Sequence, residues 1–108
     1  MATGDGNYRT REATISAENS FTSWVRVPRA KFTINFAETV ATFAGTFVTQ
    51  ARRILADGTA GVTQDILSTT SLTDFPQVGE LAGGEWEVRA GIKTGGYTSG
   101  TGRASVSF

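Results

Sequence analysis

The sequence predicts an all-β protein, an antiparallel β-sandwich of seven or eight strands, immunoglobulin-like or jelly-roll-like in layout. Two observations carry that expectation. In Glu85–Phe108, Trp86, Val88, Ala90 and Ile92 alternate with Glu87, Arg89, Gly91 and Lys93, and Ala104, Val106 and Phe108 alternate with Arg103, Ser105 and Ser107. Period-2 alternation puts one set on a buried face and the other in solvent. Turn chemistry also recurs about every 8 to 12 residues, the spacing of a sandwich or barrel.

Taken in order, residues 1–9 are small and polar, with Gly4, Gly6 and the one anchor Tyr8, and read as a flexible arm ahead of a single domain over 10–108. Thr10–Ala17 places Ala13, Ile15 and Ala17 on one parity, as an edge strand would. Glu18-Asn19-Ser20 is a turn. The mixed parity of Phe21, Trp24, Val25 and Val27 predicts a bulge or a strand buried on both faces, ended by Pro28.

Lys31–Phe36 alternates with Phe32, Ile34 and Phe36 inward. Ala37-Glu38 is a turn or bend, and Thr39–Phe43 continues in β-type residues. Thr46–Arg53 shows Phe47, Thr49 and Ala51 on one face and Val48, Gln50 and Arg52 on the other, which makes the second face wet or a contact for a polar partner. Asp57-Gly58 is the type I′ hairpin dipeptide, so Thr46–Leu67 reads as a long hairpin. The alternative is a helical turn over Gln50–Ala56, capped at Asp57-Gly58. Ser68–Asp74 is a loop or short edge strand. The closing Glu85–Phe108 is expected to form a β-hairpin around Gly95, Gly96, Gly100 and Gly102. The expected core is Trp24, Phe32, Ile34, Phe36, Phe47, Trp86, Val88, Ile92, Val106 and Phe108.

Composition narrows the chemistry. The 108 residues include no cysteine and no histidine, so there is no thiolate nucleophile and neither the commonest general base nor the commonest metal ligand. Lys plus Arg equals Asp plus Glu, and the formal net charge is zero. A balanced chain carries no electrostatic signature of nucleic-acid binding. It also presents little charge repulsion against self-association. No run approaches the roughly 20 apolar residues of a membrane helix, and MATGDGNYRT has no apolar signal core. The expectation is a protein made in a cytoplasm and kept there, or in a particle built there.

No motif predicts catalysis or a cofactor. GIKTGGYTSGTG has its Lys-Thr ahead of the glycines and a strand after them, whereas a P-loop needs the reverse order and a helix. Ser99 has no histidine to activate it. Glu85 and Glu87 share a strand face at about 6.6 Å, within the range of glycosidic acid–base pairs but equally that of solvated charges. Asp57 and Asp65 would share a cation only if hairpin register brought them together. Arg26, Arg29 and Lys31, near Trp24 and Phe32, are the one basic cluster with aromatics.

Two segments carry a family resemblance. They are Ala44-Gly45-Thr46-Phe47-Val48-Thr49-Gln50-Ala51-Arg52, and the run from Trp86-Glu87-Val88-Arg89 through Gly96-Tyr97-Thr98-Ser99-Gly100-Thr101. Over about Trp24 to Phe108 the chain resembles the small β-sandwich structural proteins of tailed-bacteriophage virions. It departs from them after the Gln strand, where Asp57-Gly58-Thr59-Ala60-Gly61 lacks the usual tryptophan. The resemblance implies a non-enzymatic virion component without cofactor or metal. Its partner would be the major capsid protein, another virion protein or a second copy. Two placements stand: a capsid decoration or cement protein, and a tail or head-to-tail connection protein. A carbohydrate- or receptor-binding module is the third alternative, resting on Trp86 between two carboxylates and on its exposure. The expected protein contacts are Asn7, Tyr8 and Arg9 in the arm, Arg29, Arg52 and Arg53, and Tyr97. A loop tyrosine is a frequent interface anchor, although Tyr97 has the alternative of folding back over the hairpin end.

Overall fold

The computed structural model describes residues 10–27 and 31–108. Among these residues nine strands are formed: β1 (Thr10–Ile15), β2 (Ser20–Phe21), β3 (Val25–Val27), β4 (Lys31–Gly45), β5 (Phe47–Arg53), β6 (Gln64–Thr69), β7 (Gln77–Glu80), β8 (Trp86–Ile92) and β9 (Tyr97–Ser107). Among the described residues the one helical element is a 3₁₀ turn at Leu72–Asp74. The first sheet runs β1-β9-β4-β7. The second runs β2-β8-β5-β6, with β3 also on β8. All the pairings are antiparallel, and the sheets pack face to face as the predicted sandwich.

The strand count exceeds seven or eight mainly because Phe21–Val27 is split. Phe21 pairs with Gly91 and Val25 with Val88, so four steps on one strand meet three on the other. That one-residue bulge flips the parity. Phe21 and Trp24 both face outward, while Val25 and Val27 face inward and are buried. Trp24, expected in the core, therefore lies half-buried on the outer face of the second sheet.

β4 merges the two stretches expected on either side of Ala37-Glu38. Phe32, Ile34 and Phe36 point inward, the next six residues are exposed, and Phe43 returns to the core. The register slips at Val40 and again at Ala44, and the Glu38 carboxylate accepts the Phe43 N–H at 2.8 Å within this bulge.

The last 24 residues differ from expectation in their pairing. β8 bonds to β2, β3 and β5, whereas β9 bonds to β1 and β4. The two strands cross from one sheet to the other and do not form a hairpin. Two glycines permit the pairing of β9 with β4. A Cβ at Gly100 would lie 2.1 Å from the Thr42 carbonyl oxygen, and one at Gly102 would lie 2.2 Å from the Phe43 ring. These glycines are not turn residues. They admit the bulged β4 against β9, so β9 begins at Tyr97 rather than near Ala104.

The β5–β6 hairpin is formed, with Val48 opposite Ser68 and Ala51 opposite Gln64. The helical alternative for Gln50–Ala56 is excluded. Its tip is not type I′, because Asp57 has no positive φ. Gly58, at φ +88, takes the left-handed position after the turn, and its N–H donates to the Leu55 carbonyl. That is the glycine-bulge form of hairpin loop.

The core is built on Phe47, whose ring centroid lies 5.0 Å from those of both Phe36 and Phe43. Ile15, Ile34, Val88, Ile92 and Val106 are fully buried or nearly so around it. Phe108 is partly buried against this cluster.

Candidate functional site

The richest side-chain chemistry lies on the outer face of the second sheet. Strand alternation brings Glu87 and Arg89 of β8, Gln50 and Arg52 of β5, and Asp65 of β6 to that face. The β2–β3 bulge adds Phe21 and Trp24 beside them. Register then makes two rows. Asp65 lies opposite Gln50, which lies opposite Arg89. Arg26 lies opposite Glu87, which lies opposite Arg52.

Each row is hydrogen-bonded across the strands. In the first, Gln50 Nε2 donates to Asp65 Oδ1 at 2.9 Å and Arg89 Nε donates to Gln50 Oε1 at 2.9 Å. Lys93 Nζ closes the far end on Asp65 Oδ2 at 2.7 Å. That lysine first, and Gln50 second, hold the Asp65 carboxyl below its ordinary value. In the second row, Arg52 donates to Glu87 Oε1 through Nε and Nη2, each at 2.8 Å. Arg26 Nη1 holds Glu85 at 2.6 Å.

Trp24 joins the rows. The Arg52 guanidinium stands 4.1 Å from its ring centroid and that of Arg89 stands 4.6 Å away. Arg89 is also 4.1 Å from the Phe21 ring centroid. Arginine over an aromatic face is an electrostatic attraction to the ring quadrupole.

The charges do not cancel. Arg26, Arg52 and Lys93 meet Glu85, Glu87 and Asp65, while Arg89 has no carboxylate within salt-bridge distance among the described residues. Burial first, and the like charge of Arg52 second, lower its pKa from the ordinary guanidinium value. In front of it is a polar hollow of about 270 Å³ lined by Asn19, Phe21, Gln50, Arg89, Lys93 and Thr94.

Comparison with protein-family models, curated proteins and solved structures finds no match to this chain. The face therefore has to be read from its own chemistry.

The expected contact residues are dispersed. Arg52 belongs to the face, but its charge is already taken by Glu87. Arg53 follows it on the strand, points to the other side and lies beside Gly84. Tyr97 takes the folded-back course: it is half-buried, and its hydroxyl donates to the Gly100 carbonyl at 2.7 Å. Asn7, Tyr8, Arg9 and Arg29 lie outside the described residues. Of the basic cluster, Lys31 sits on the other sheet, 3.9 Å from Glu80.

Trp86 is buried, and its Nε1 donates to the Ala82 carbonyl at 2.9 Å. It offers no ring to a sugar. Asp57 and Asp65 do not converge. Asp57 accepts from Thr59 at the hairpin tip, far along the strand from the Asp65 row. Among the described residues no three acidic side chains gather as metal ligands would, and no helix is long and apolar enough to cross a membrane. Phe21 and Arg89 were not expected at a site, and Gln50 only as part of a strand face, with Arg52, that is wet or contacts a polar partner. Their signal was the outward parity of a Gln and an Arg on strands that pair.

A second feature lies at one side of the sandwich. A cleft of about 340 Å³ runs between the edge strands β6 and β7, lined mainly by apolar residues that include Phe32, Ile34, Leu67 and Leu81. Thr49 and Gln77 also line it. The buried Thr49 Oγ1 and Gln77 Oε1 have no hydrogen-bond partner among the described residues.

Proposed function

We propose that this chain is a non-enzymatic structural domain of a tailed-phage virion that works by binding a neighbouring protein through Phe21, Trp24 and Arg89. The favoured placement is capsid decoration: the domain would cement the shell by adding buried area at subunit junctions. Its partner would be the major capsid protein or another virion protein. The virion setting rests on the sequence resemblance. The choice of surface rests on Arg89, an uncompensated guanidinium held between two aromatic rings in front of a hollow. Tryptophan and arginine are the residue types that most often dominate interface energetics. A pre-ordered guanidinium loses less side-chain freedom on docking than a mobile one. The partner group implied is a carboxylate, accepted in the hollow and flanked by apolar contacts to Phe21 and Trp24. The acidic groups of the face are already bound to Arg26, Arg52 and Lys93, which leaves them poorly placed for acid–base work.

A tail or head-to-tail position is the second reading. It is favoured by the β5–β6 hairpin, whose end exposes Leu55 and Val62. A tail-tube subunit would need a long hairpin of this kind to build a ring.

The test is reconstitution onto particles lacking the protein, followed by sedimentation and by heat or osmotic challenge. Arg89→Ala should lower occupancy at least tenfold, and Arg53→Ala, on the other side of β5, should leave it unchanged. Particles that survive equally with and without the protein would remove the cementing role. A particle map placing the chain on the tail would select the second reading.

A further inference from the structure

We propose that the cleft between β6 and β7 is a binding site for a small neutral molecule with a compact apolar body and one polar group that both accepts and donates, such as a carboxamide. This site is separate from the arginine–aromatic face and does not depend on the virion reading.

The argument starts from what a sandwich edge normally does. Inward side chains of the two edge strands meet and exclude water. On β7 the inward positions are Gln77 and Gly79, and neither supplies apolar volume. The Phe32 ring occupies the place a Gly79 side chain would take, with a Cβ there only 2.3 Å from it. Phe32 thus forms a floor and does not fill the gap. The resulting space, about 340 Å³, is at the small end of ligand pockets and takes a single ring with a substituent.

The polar atoms define the head group. Thr49 is fully buried, and its hydroxyl carries a proton that no acceptor among the described residues takes up. Gln77 Oε1 is buried and accepts nothing. A buried polar atom left without a partner costs about 1–3 kcal/mol, so native interiors rarely keep two, and here both belong to residues lining one cleft. A carboxamide answers both: its oxygen accepts from Thr49 and its N–H donates to Gln77. Charge excludes ions. The one charged residue lining the cleft is Glu80, and it lies 3.9 Å from Lys31 at the rim, so no cation is placed to hold a carboxylate or phosphate inside.

Benzamide is the probe, with toluene as the same body lacking the head and benzoate as its charged counterpart. Methyl shifts of Ile34, Ile66 and Leu67 report occupancy by NMR. Benzamide should bind at least tenfold more tightly than toluene, and benzoate should be rejected. Thr49→Val keeps the side-chain shape and removes the hydroxyl; it should erase the preference for benzamide while leaving toluene binding in place. Gln77→Leu should weaken benzamide in the same direction. The proposal fails if toluene binds as well as benzamide, if Thr49→Val keeps the preference, or if no probe shifts the methyls because water alone satisfies the two atoms.

Discussion

The two open sides of the sandwich obey the same alternation yet end differently. On one side β1 faces β2 and β3. Its inward Ile15 and the inward Val25 and Val27 of β3 are buried, with Ala13 partly buried beside them, so apolar side chains meet across this edge. The hollow of about 230 Å³ that remains is lined mainly by the polar or outward residues Arg11, Trp24, Arg26 and Glu87. On the other side β7 faces β6. The inward residues of β7 are Gln77 and Gly79, Leu67 of β6 is half-buried, and a cleft remains. Parity decides which residues face inward. The volume and polarity of those residues decide whether the edge closes. The side with apolar side chains on both strands contributes stability, and the other retains two oxygens without a partner among the described residues.

The sharpest way to break this comparison is to shorten a side chain on each side. Ile15→Ala should cost about 3 kcal/mol, the middle of the range for a fully buried large-to-small change. Leu67→Ala, beside space that is already open, should cost about 1 kcal/mol. Urea midpoints measure both. Equal costs would mean that the second side is as tightly packed as the first.

Next in size is a change that should stabilise. Thr49→Val removes a buried hydroxyl without a partner and keeps the branching, so the domain should gain about 1 kcal/mol. Thermal unfolding in the absence of any added small molecule reads this. A loss of stability would show that Thr49 is satisfied in solution and that the two sides are less different than their contacts indicate.

How much of this was legible follows from what alternation can carry. Phe32, Ile34, Phe36, Val88, Ile92 and Val106 were placed in the core from period alone, because each lies in a stretch over which parity holds, β4 slipping only beyond Glu38. Trp24 was misplaced for the opposite reason. One extra residue between Phe21 and Val25 reverses parity, and local sequence does not say where an insertion falls against a partner strand. The partner of β9 was also hidden. Gly100 and Gly102 look like turn glycines until Thr42 and Phe43 are seen pressing on their α-carbons. Arg89 read as a solvated charge on a strand. Its isolation from carboxylates depends on three cross-strand pairings that no local pattern specifies. The cleft was illegible because Gln77 and Gly79 sit in a four-residue edge strand, in a stretch without a clear period.

The aromatic face gives a smaller effect and brings the comparison to the outer surface. Arg89→Ala removes guanidinium contacts to Phe21 and Trp24 and leaves Gln50 Oε1 without its donor. The expected cost is about 1 kcal/mol. Arg89→Lys keeps the charge but loses the planar fork, and should recover less than half of it. Trp24 emission should shift to longer wavelength in the alanine variant. An unchanged spectrum together with unchanged stability would mean that the stacked arrangement is not populated.

The smallest effect is the pH response of the same face, and its sign is fixed by Asp65. Lys93 and Gln50 depress the folded carboxyl below the ordinary 3.8, whereas the unfolded chain has neither partner in place. The unfolded state therefore binds the proton first as pH falls. The contribution of Asp65 to stability is fully present above about pH 4 and is lost as pH drops below 3.8 through the folded value. The group is exposed enough for solvent and salt to screen it, so the change is slight in stability. It is easier to see in the row itself. A protonated Asp65 releases Lys93 and weakens its hold on Gln50, and Gln50 is the acceptor that orients Arg89 over Trp24. Carboxyl NMR should place the Asp65 titration below that of an unpaired aspartate, and Lys93→Ala should move it upward. Trp24 emission should follow the same curve in the wild type and lose that step in Asp65→Asn. If Trp24 is silent while Asp65 titrates, the row is three separate contacts and Arg89 is oriented by the aromatic rings alone.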